Sequence, residues 1–138
     1  MEFEVKIFGI KSKKIKRLSY LSKHQVLETF DEAPWEKIIN QLKENNTPEK
    51  DSPHFGIENR KDNFVLLLTP INNAGWMIIY IQQVKYKVFF GLFPTTKTHI
   101  TEKRKQDFKT VKDCIKLFLN QEYQSLEQIC NENLLSIH

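Results

Sequence analysis

The side chains best equipped for chemistry are few in this chain, and their spacing disperses them. The four histidines are His24, His54, His99 and His138. None is paired as HxH or HxxxH and none has a nearby cysteine. A zinc site needs three or four ligands brought together, so the pattern predicts surface or loop histidines, no metal and no other cofactor. Cys114 and Cys130 stand sixteen apart, outside any CxxC or zinc spacing. Cys114 shares an apolar helical stripe with Phe118, which predicts a buried, inert thiol. Cys130 is expected at least partly buried, with no bond between the two. No GxSxG elbow occurs, and Gly56 and Gly75 stand alone, so no glycine-rich loop is present to cradle a phosphate. Cys114 with His54 or His99 is the one nucleophile arrangement that spacing leaves open. The neighbouring carboxylates Asp31 with Glu32, and Glu49 with Asp51, fall at a helix start and between prolines. Capping and solvation account for them better than a hydrolytic pair flanking a cleft. The expectation is a protein that is not an enzyme.

Binding chemistry is better represented. Lys11, Lys13, Lys14, Lys16 and Arg17 form one basic run, and Lys97, Lys103, Arg104 and Lys105 another. With Tyr20, Tyr86 and Phe90 as stacking platforms they would suit a nucleic acid. The charge pattern argues against that partner. Residues 1–25 carry +5, 26–63 carry −4, 64–93 carry +2, 94–113 carry +3 and 114–138 carry −2, within a formal net charge of +4. A nucleic-acid footprint is a single basic stripe, and lysines at a hairpin also protect sheet edges from aggregation. A small basic nucleic-acid-binding protein is therefore the second choice, and a protein partner the first. Aromatic residues are 12% of the chain, and aromatics with Arg supply most interface hot spots. The candidate contact residues are Asp31, Glu32, Glu44, Glu49 and Asp51 in the acidic stretch, where Pro48 and Pro53 stiffen the loop. Tyr80 and Tyr86, with Phe89, join them if one face of a sheet is uncovered. Lys97 and Arg104 offer the opposite charge. The chain is expected to act as a monomer or homodimer.

At 138 residues the chain has the size of one domain, spanning 1–138. Its longest apolar runs, Phe64–Leu68 and Trp76–Ile81, fall far short of the ~20 residues of a spanning helix. The acidic start Met-Glu-Phe-Glu is unlike a signal peptide. These features predict no membrane partner and a cytoplasmic location.

Residues 2–8 alternate apolar and charged, the period of a half-buried strand, and 15–21 form a weaker strand joined to it by the basic turn Lys11–Lys14. Trp35, Ile38, Ile39 and Leu42 make one stripe of a helix over 34–45, with Pro34 in its first turn. Residues 46–53 read as an exposed loop. Four strand-like runs follow at 54–59, 63–69, 75–83 and 84–93, the last two merging into one long strand if Gln82-Gln83 is not a turn. Short connections between them require antiparallel pairing. Leu66–Leu68 and Trp76–Ile81 are apolar on both faces, so these strands are expected at the sheet centre, covered on both sides or covered on one side by a partner. Residues 94–107 read as a polar, basic loop. Helices follow at 108–120, with Thr110 and Asp113 as a capping box, and at 122–135. The expected class is α+β: an antiparallel meander of about 4–6 strands, with one helix before and two after the central strands.

The run PHFGIENRKDNFVLLLTPINNAGWMIIYIQ over 53–82 resembles the sheet of small immunity proteins of bacterial polymorphic-toxin and contact-dependent inhibition systems. In these an F-x-I/V-x-N strand is followed by a D-N-F/Y strand and then by one opening G-W/F. The tail DFKTVKDCIKLFLNQEYQSLEQI resembles their closing helices. The likeness spans roughly residues 53–130 and is architectural, so no single residue role carries over. It implies that a cognate protein toxin is the partner, neutralised by direct binding and occlusion. The basic N-terminal hairpin and the net positive charge depart from the pattern. Inhibitors of nucleases are commonly acidic, so the resemblance implies a partner other than a nuclease, or binding through the acidic stretch 26–63.

Overall fold

Ser22 starts a helix that apolar periodicity alone does not reveal. Its hydroxyl accepts from the Gln25 N–H at 3.3 Å, and the Gln25 side chain accepts from the Ser22 N–H at 2.9 Å. This reciprocal capping box opens α1, Lys23–Glu32, which buries Val26 and Phe30 one turn apart. The next helix, α2 (Trp35–Glu44), buries Trp35, Ile38 and Leu42. The Trp35 indole N–H donates to the Phe30 carbonyl at 2.8 Å, so α2 begins anchored on the last turn of α1. A short 3-10 turn, Glu49–Asp51, leads into the sheet. Behind the sheet come α3 (Phe108–Leu119) and α4 (Tyr123–Leu135). The cap of α3 is Asp107, which accepts from the Thr110 N–H at 2.8 Å, in place of the expected Thr110–Asp113 box. Hydrogen bonding from the Thr110 side chain, and then from its N–H, holds the Asp107 carboxyl below its ordinary value.

The computed structural model describes residues 2–9, 15–72, 75–88 and 93–135. The Lys11–Lys14 turn and Phe89 and Phe90 lie outside them. Six strands, β1 (Phe3–Phe8), β2 (Lys16–Leu21), β3 (His54–Asn59), β4 (Phe64–Ile71), β5 (Gly75–Val88) and β6 (Phe93–Gln106), form one sheet in the order β2-β1-β3-β4-β5-β6. Every described pairing is antiparallel. The class is α+β, with β3 to β6 a meander and the β1–β2 hairpin joined at its β1 side. Of the two arrangements the sequence leaves open for 75–93, the merged one is found, a single β5 reaching Val88. Two details differ from expectation. Two helices, not one, precede the central strands. The segment expected as a basic loop is β6. It is rich in Thr, a β-branched strand former, but an edge strand in a long hairpin needs no apolar alternation, and polarity alone mimics a loop. Gly75 opens this hairpin at φ +68, where a Cβ would stand 2.8 Å from the Gln106 carbonyl oxygen.

Strand alternation gives the sheet two unlike faces. Phe3, Val5, Phe55, Ile57, Leu66, Leu68, Trp76, Ile78 and Tyr80 point one way and share one core with Val26, Phe30, Trp35, Ile38 and Leu42 of α1 and α2, and Val111, Cys114, Ile115, Phe118, Leu119, Leu126 and Cys130 of α3 and α4. All four helices therefore lie on the same face. Phe30 is the junction. It is fully buried and meets Trp35, Phe55, Trp76 and Phe108 at ring distances of 5.1, 5.2, 6.1 and 5.7 Å.

Candidate partner interface

Among the described residues no helix covers the second face of the sheet. Pairing register places Val65, Ile81 and Ile100 in one cross-strand row and Leu67, Ile79 and Glu102 in the next. Val65, Leu67, Ile79 and Ile81 are half-buried, and Ile100 is 65% exposed. These five aliphatic side chains make a continuous band across β4, β5 and β6. Gly56 continues the second row, and Leu67 leans over it, 3.4 Å from where a Cβ would stand.

Ion pairs border the band. Toward β1, Lys6 pairs with Glu58 at 3.6 Å. Glu4, with its side chain only 3% exposed, lies between Arg17 at 3.0 Å and Arg60 at 2.5 Å. Toward β6, Arg104 reaches Glu49 at 2.7 Å and Glu102 at 3.2 Å. Phe8 stacks on His54 at 5.0 Å at the end of the face, and burial lowers the His54 pKa. Glu4 carries a stability consequence. Arg17→Ala with Arg60→Ala leaves a desolvated carboxylate without a counter-charge. The pair of changes is expected to lower stability by about 2 kcal/mol, read as a lower urea midpoint, with each single change doing less than half.

The expected contact residues separate in space. Asp31 and Glu44 line one open groove between α2 and Phe108, together with Trp35, Glu36 and Lys37. Asp31 is also tied to Lys112 of α3. Glu32 lines an adjoining hollow with His24, Glu28 and Lys116. Glu49 and Arg104, expected on separate acidic and basic surfaces, are joined in one ion pair, and Asp51 is exposed beside them. Tyr80, expected at an uncovered face, is instead fully buried under α3 and α4, because its even register in β5 is the helix side. Tyr86 and Lys97 lie in β5 and β6, and their side chains fall outside the described residues. Lys103, expected in a basic patch, turns inward and donates to the Ile129 carbonyl at 2.9 Å. Motif spacing does not mark Val65, Leu67, Ile79, Ile81 and Ile100 as candidate site residues. The signal for four of them lies in the runs 64–68 and 76–81, which are apolar on both faces, while the helices cover one face.

The residues that carry the immunity-protein resemblance meet away from this band. Asn59 at the end of β3 donates to the Tyr123 hydroxyl at 2.7 Å and to Asp62 at 3.1 Å. Tyr123 donates to the same Asp62 oxygen at 2.9 Å, and Gln121 adds a longer bond at 3.4 Å. This network fastens the β3–β4 turn to the start of α4, a structural duty. No family model matches the chain, and comparison with curated proteins and with solved structures finds no match either. Function therefore rests on the surface itself. Among the described residues no three His, Cys, Asp or Glu side chains are grouped to hold a metal ion, and no helix is long and apolar enough to cross a membrane.

The Tyr123 network also sets a pH dependence. Burial, then the hydrogen bond to Asp62, pushes the Tyr123 phenol from 10.0 up to about 12. The native state holds this proton more tightly than the unfolded chain does. Its stabilising contribution is complete below pH 10 and is lost as pH rises toward 12. Urea midpoints are expected to fall across that window, and less so in Tyr123→Phe. An equal fall in both proteins would assign the loss to another group.

Proposed function

We propose that this chain is a non-catalytic binding protein, an immunity protein that neutralises a cognate toxin by covering it, with the open face of the sheet as its contact surface. One observation supports the reading: five aliphatic side chains in two adjacent rows, four half-buried and Ile100 exposed, have no helix over them among the described residues, while the other face of the sheet is packed. An apolar centre with a polar rim is the anatomy of a specific protein interface, and contiguous exposed apolar surface on a small domain marks a binding site. The paired charges around the band supply that rim. They also screen it against unselected partners, since a wrong neighbour must break ion pairs already made. The resemblance of the β3–β5 run and the closing helices to immunity proteins supplies the class of partner.

Nucleic acid is the weaker reading. Of the basic residues with described side chains, Arg17, Arg104 and Lys103 are already engaged with Glu4, Glu49 and the Ile129 carbonyl. The test is to mix the purified chain with the toxic product of the gene beside its own. A complex that survives moderate salt in size-exclusion chromatography, and rescued growth on co-expression, are the expected results. No complex with that product, together with oligonucleotide binding that falls log-linearly with salt, would replace the proposal with the nucleic-acid reading.

A further inference from the structure

One end of the open face is covered. Alternation along β4 and β5 turns Thr69 and Met77 away from the helices, to the side of Leu67 and Ile79, and the two are direct cross-strand partners. Yet Thr69 is 5% and Met77 8% exposed, and Met77 is no part of the core beneath the helices, although Trp76 and Ile78 on either side of it are. Contacts carry the segment 46–53 across this end of the sheet. Asn72, in the β4–β5 turn, donates to the Asn46 side chain at 2.8 Å. Glu49 reaches Arg104 of β6 at 2.7 Å, and Arg104 in turn reaches Glu102, which lies on the open face opposite Ile79. A Cβ on Gly9, just beyond β1, would stand 3.2 Å from Pro53. Between Glu49 at β6 and Pro53 at the start of β3 the chain must pass over β5 and β4, where Met77 and Thr69 lie. The segment is held lightly. Glu49–Asp51 buries no side chain, both members of the Glu49–Arg104 pair are close to half exposed, and the Asn46–Asn72 bond is exposed. The Ser52 hydroxyl is buried with no hydrogen-bond partner among the described residues. An exposed ion pair is a weak tie, and a segment with few buried contacts opens at low cost.

We propose that segment 46–53 is a displaceable cover, latched by the Glu49–Arg104 ion pair, whose release bares Met77 and Thr69 as a third row of the open face. The bared row adjoins Leu67 and Ile79, so the apolar band lengthens toward the ends of β4 and β5. Met77 suits that position, because its flexible thioether adapts to surfaces of different shape. With the cover closed, the band ends at the Leu67–Ile79 row and the segment forms its wall. The use of a longer band rests on reading this face as the partner surface. The cover itself is a property of the chain alone and is tested on the chain alone.

Met77 is the reporter. The native protein is treated with hydrogen peroxide, and formation of the Met77 sulfoxide is followed by mass spectrometry of the tryptic peptide Asp62–Lys85, in which Met77 is the one methionine. Arg104→Gln is expected to speed this oxidation about fivefold, the weight of an exposed ion pair. Sodium chloride at about 1 M, which screens such a pair, is expected to speed it in the wild type and to leave Arg104→Gln unchanged. Phe30→Leu, on the opposite face of the sheet, lowers global stability without touching the segment. It is expected to leave the Met77 rate as in the wild type, which separates release of the cover from global unfolding. Equal rates in Arg104→Gln and wild type would overturn the proposal. Acceleration by Phe30→Leu as large as that by Arg104→Gln would overturn it equally. Neither result depends on a partner, so a missing toxin complex and a failed cover are read apart.

Discussion

Phe30→Ala is expected to lower the stability of this protein by about 3–5 kcal/mol, the range for removing a buried aromatic side chain. Phe30 is fully buried where α1, α2, α3, β3 and β5 converge. Its ring is edge-on to Phe55 and stacked on Phe108, with Trp35 and Trp76 closing the group at 5.0 Å from each other. No neighbour can collapse into the vacancy, because each belongs to a different element that is anchored elsewhere. Trp35, for one, is held by its own hydrogen bond to the Phe30 carbonyl. Domains of this kind have only about 5–15 kcal/mol in total, so the variant should unfold at a much lower urea concentration. Phe30→Leu keeps most of the volume and should fall between. A loss for Phe30→Ala under about 1 kcal/mol would show that the two halves of the helical layer are held independently.

Ile81→Glu combined with Ile100→Glu is expected to weaken binding of the proposed protein partner by about a hundredfold, or about 2.7 kcal/mol. These two residues are direct cross-strand neighbours, Ile81 in the middle of its row and Ile100 at the row's end on the edge strand β6. Two carboxylates there must be desolvated by any partner that covers the band, beside ion pairs that cannot reorganise to meet them. Neither residue belongs to the packed core, so the thermal midpoint should move by only a few degrees. The contrasting pair is Glu49→Lys with Asp51→Lys. Glu49 is already paired with Arg104, so its loss disturbs the rim and should weaken binding less than the isoleucine pair does. Titration calorimetry of both double variants against the same partner distinguishes them. If the isoleucine pair binds as wild type while the acidic pair does not, the contact surface is the acidic side of the molecule.

The elements were legible to the extent that their residues carry a period. Phe3, Val5 and Ile7 announced β1, the Trp35 to Leu42 stripe announced α2, and the Val111 to Leu119 stripe announced α3. The helix α1 escaped because its apolar residues do not make one continuous stripe as those of α2 do, and only Val26 and Phe30 are buried. The Ser-x-x-Gln box at 22–25 was its one local sign. β6 escaped because an edge strand has few apolar partners to satisfy, so its composition resembles that of a loop.

The candidate site was half legible. Apolarity on both faces of 64–68 and 76–81 is a property of the sequence, and it already marked both faces of these strands. Sequence alone therefore determined the α+β class, the antiparallel pairing of the central strands and the burial of Cys114. Tertiary structure decided which face the helices took. Tyr80 and Ile79 are adjacent in β5, yet one is in the core and the other on the open band, because successive side chains of a strand point to opposite faces. It also decided which charges remain available. Glu49 with Arg104, Asp31 with Lys112 and Glu4 with Arg17 and Arg60 lie far apart in the chain. Spacing along a sequence reports only local neighbours, whereas whether a charge is free depends on residues that folding brings beside it.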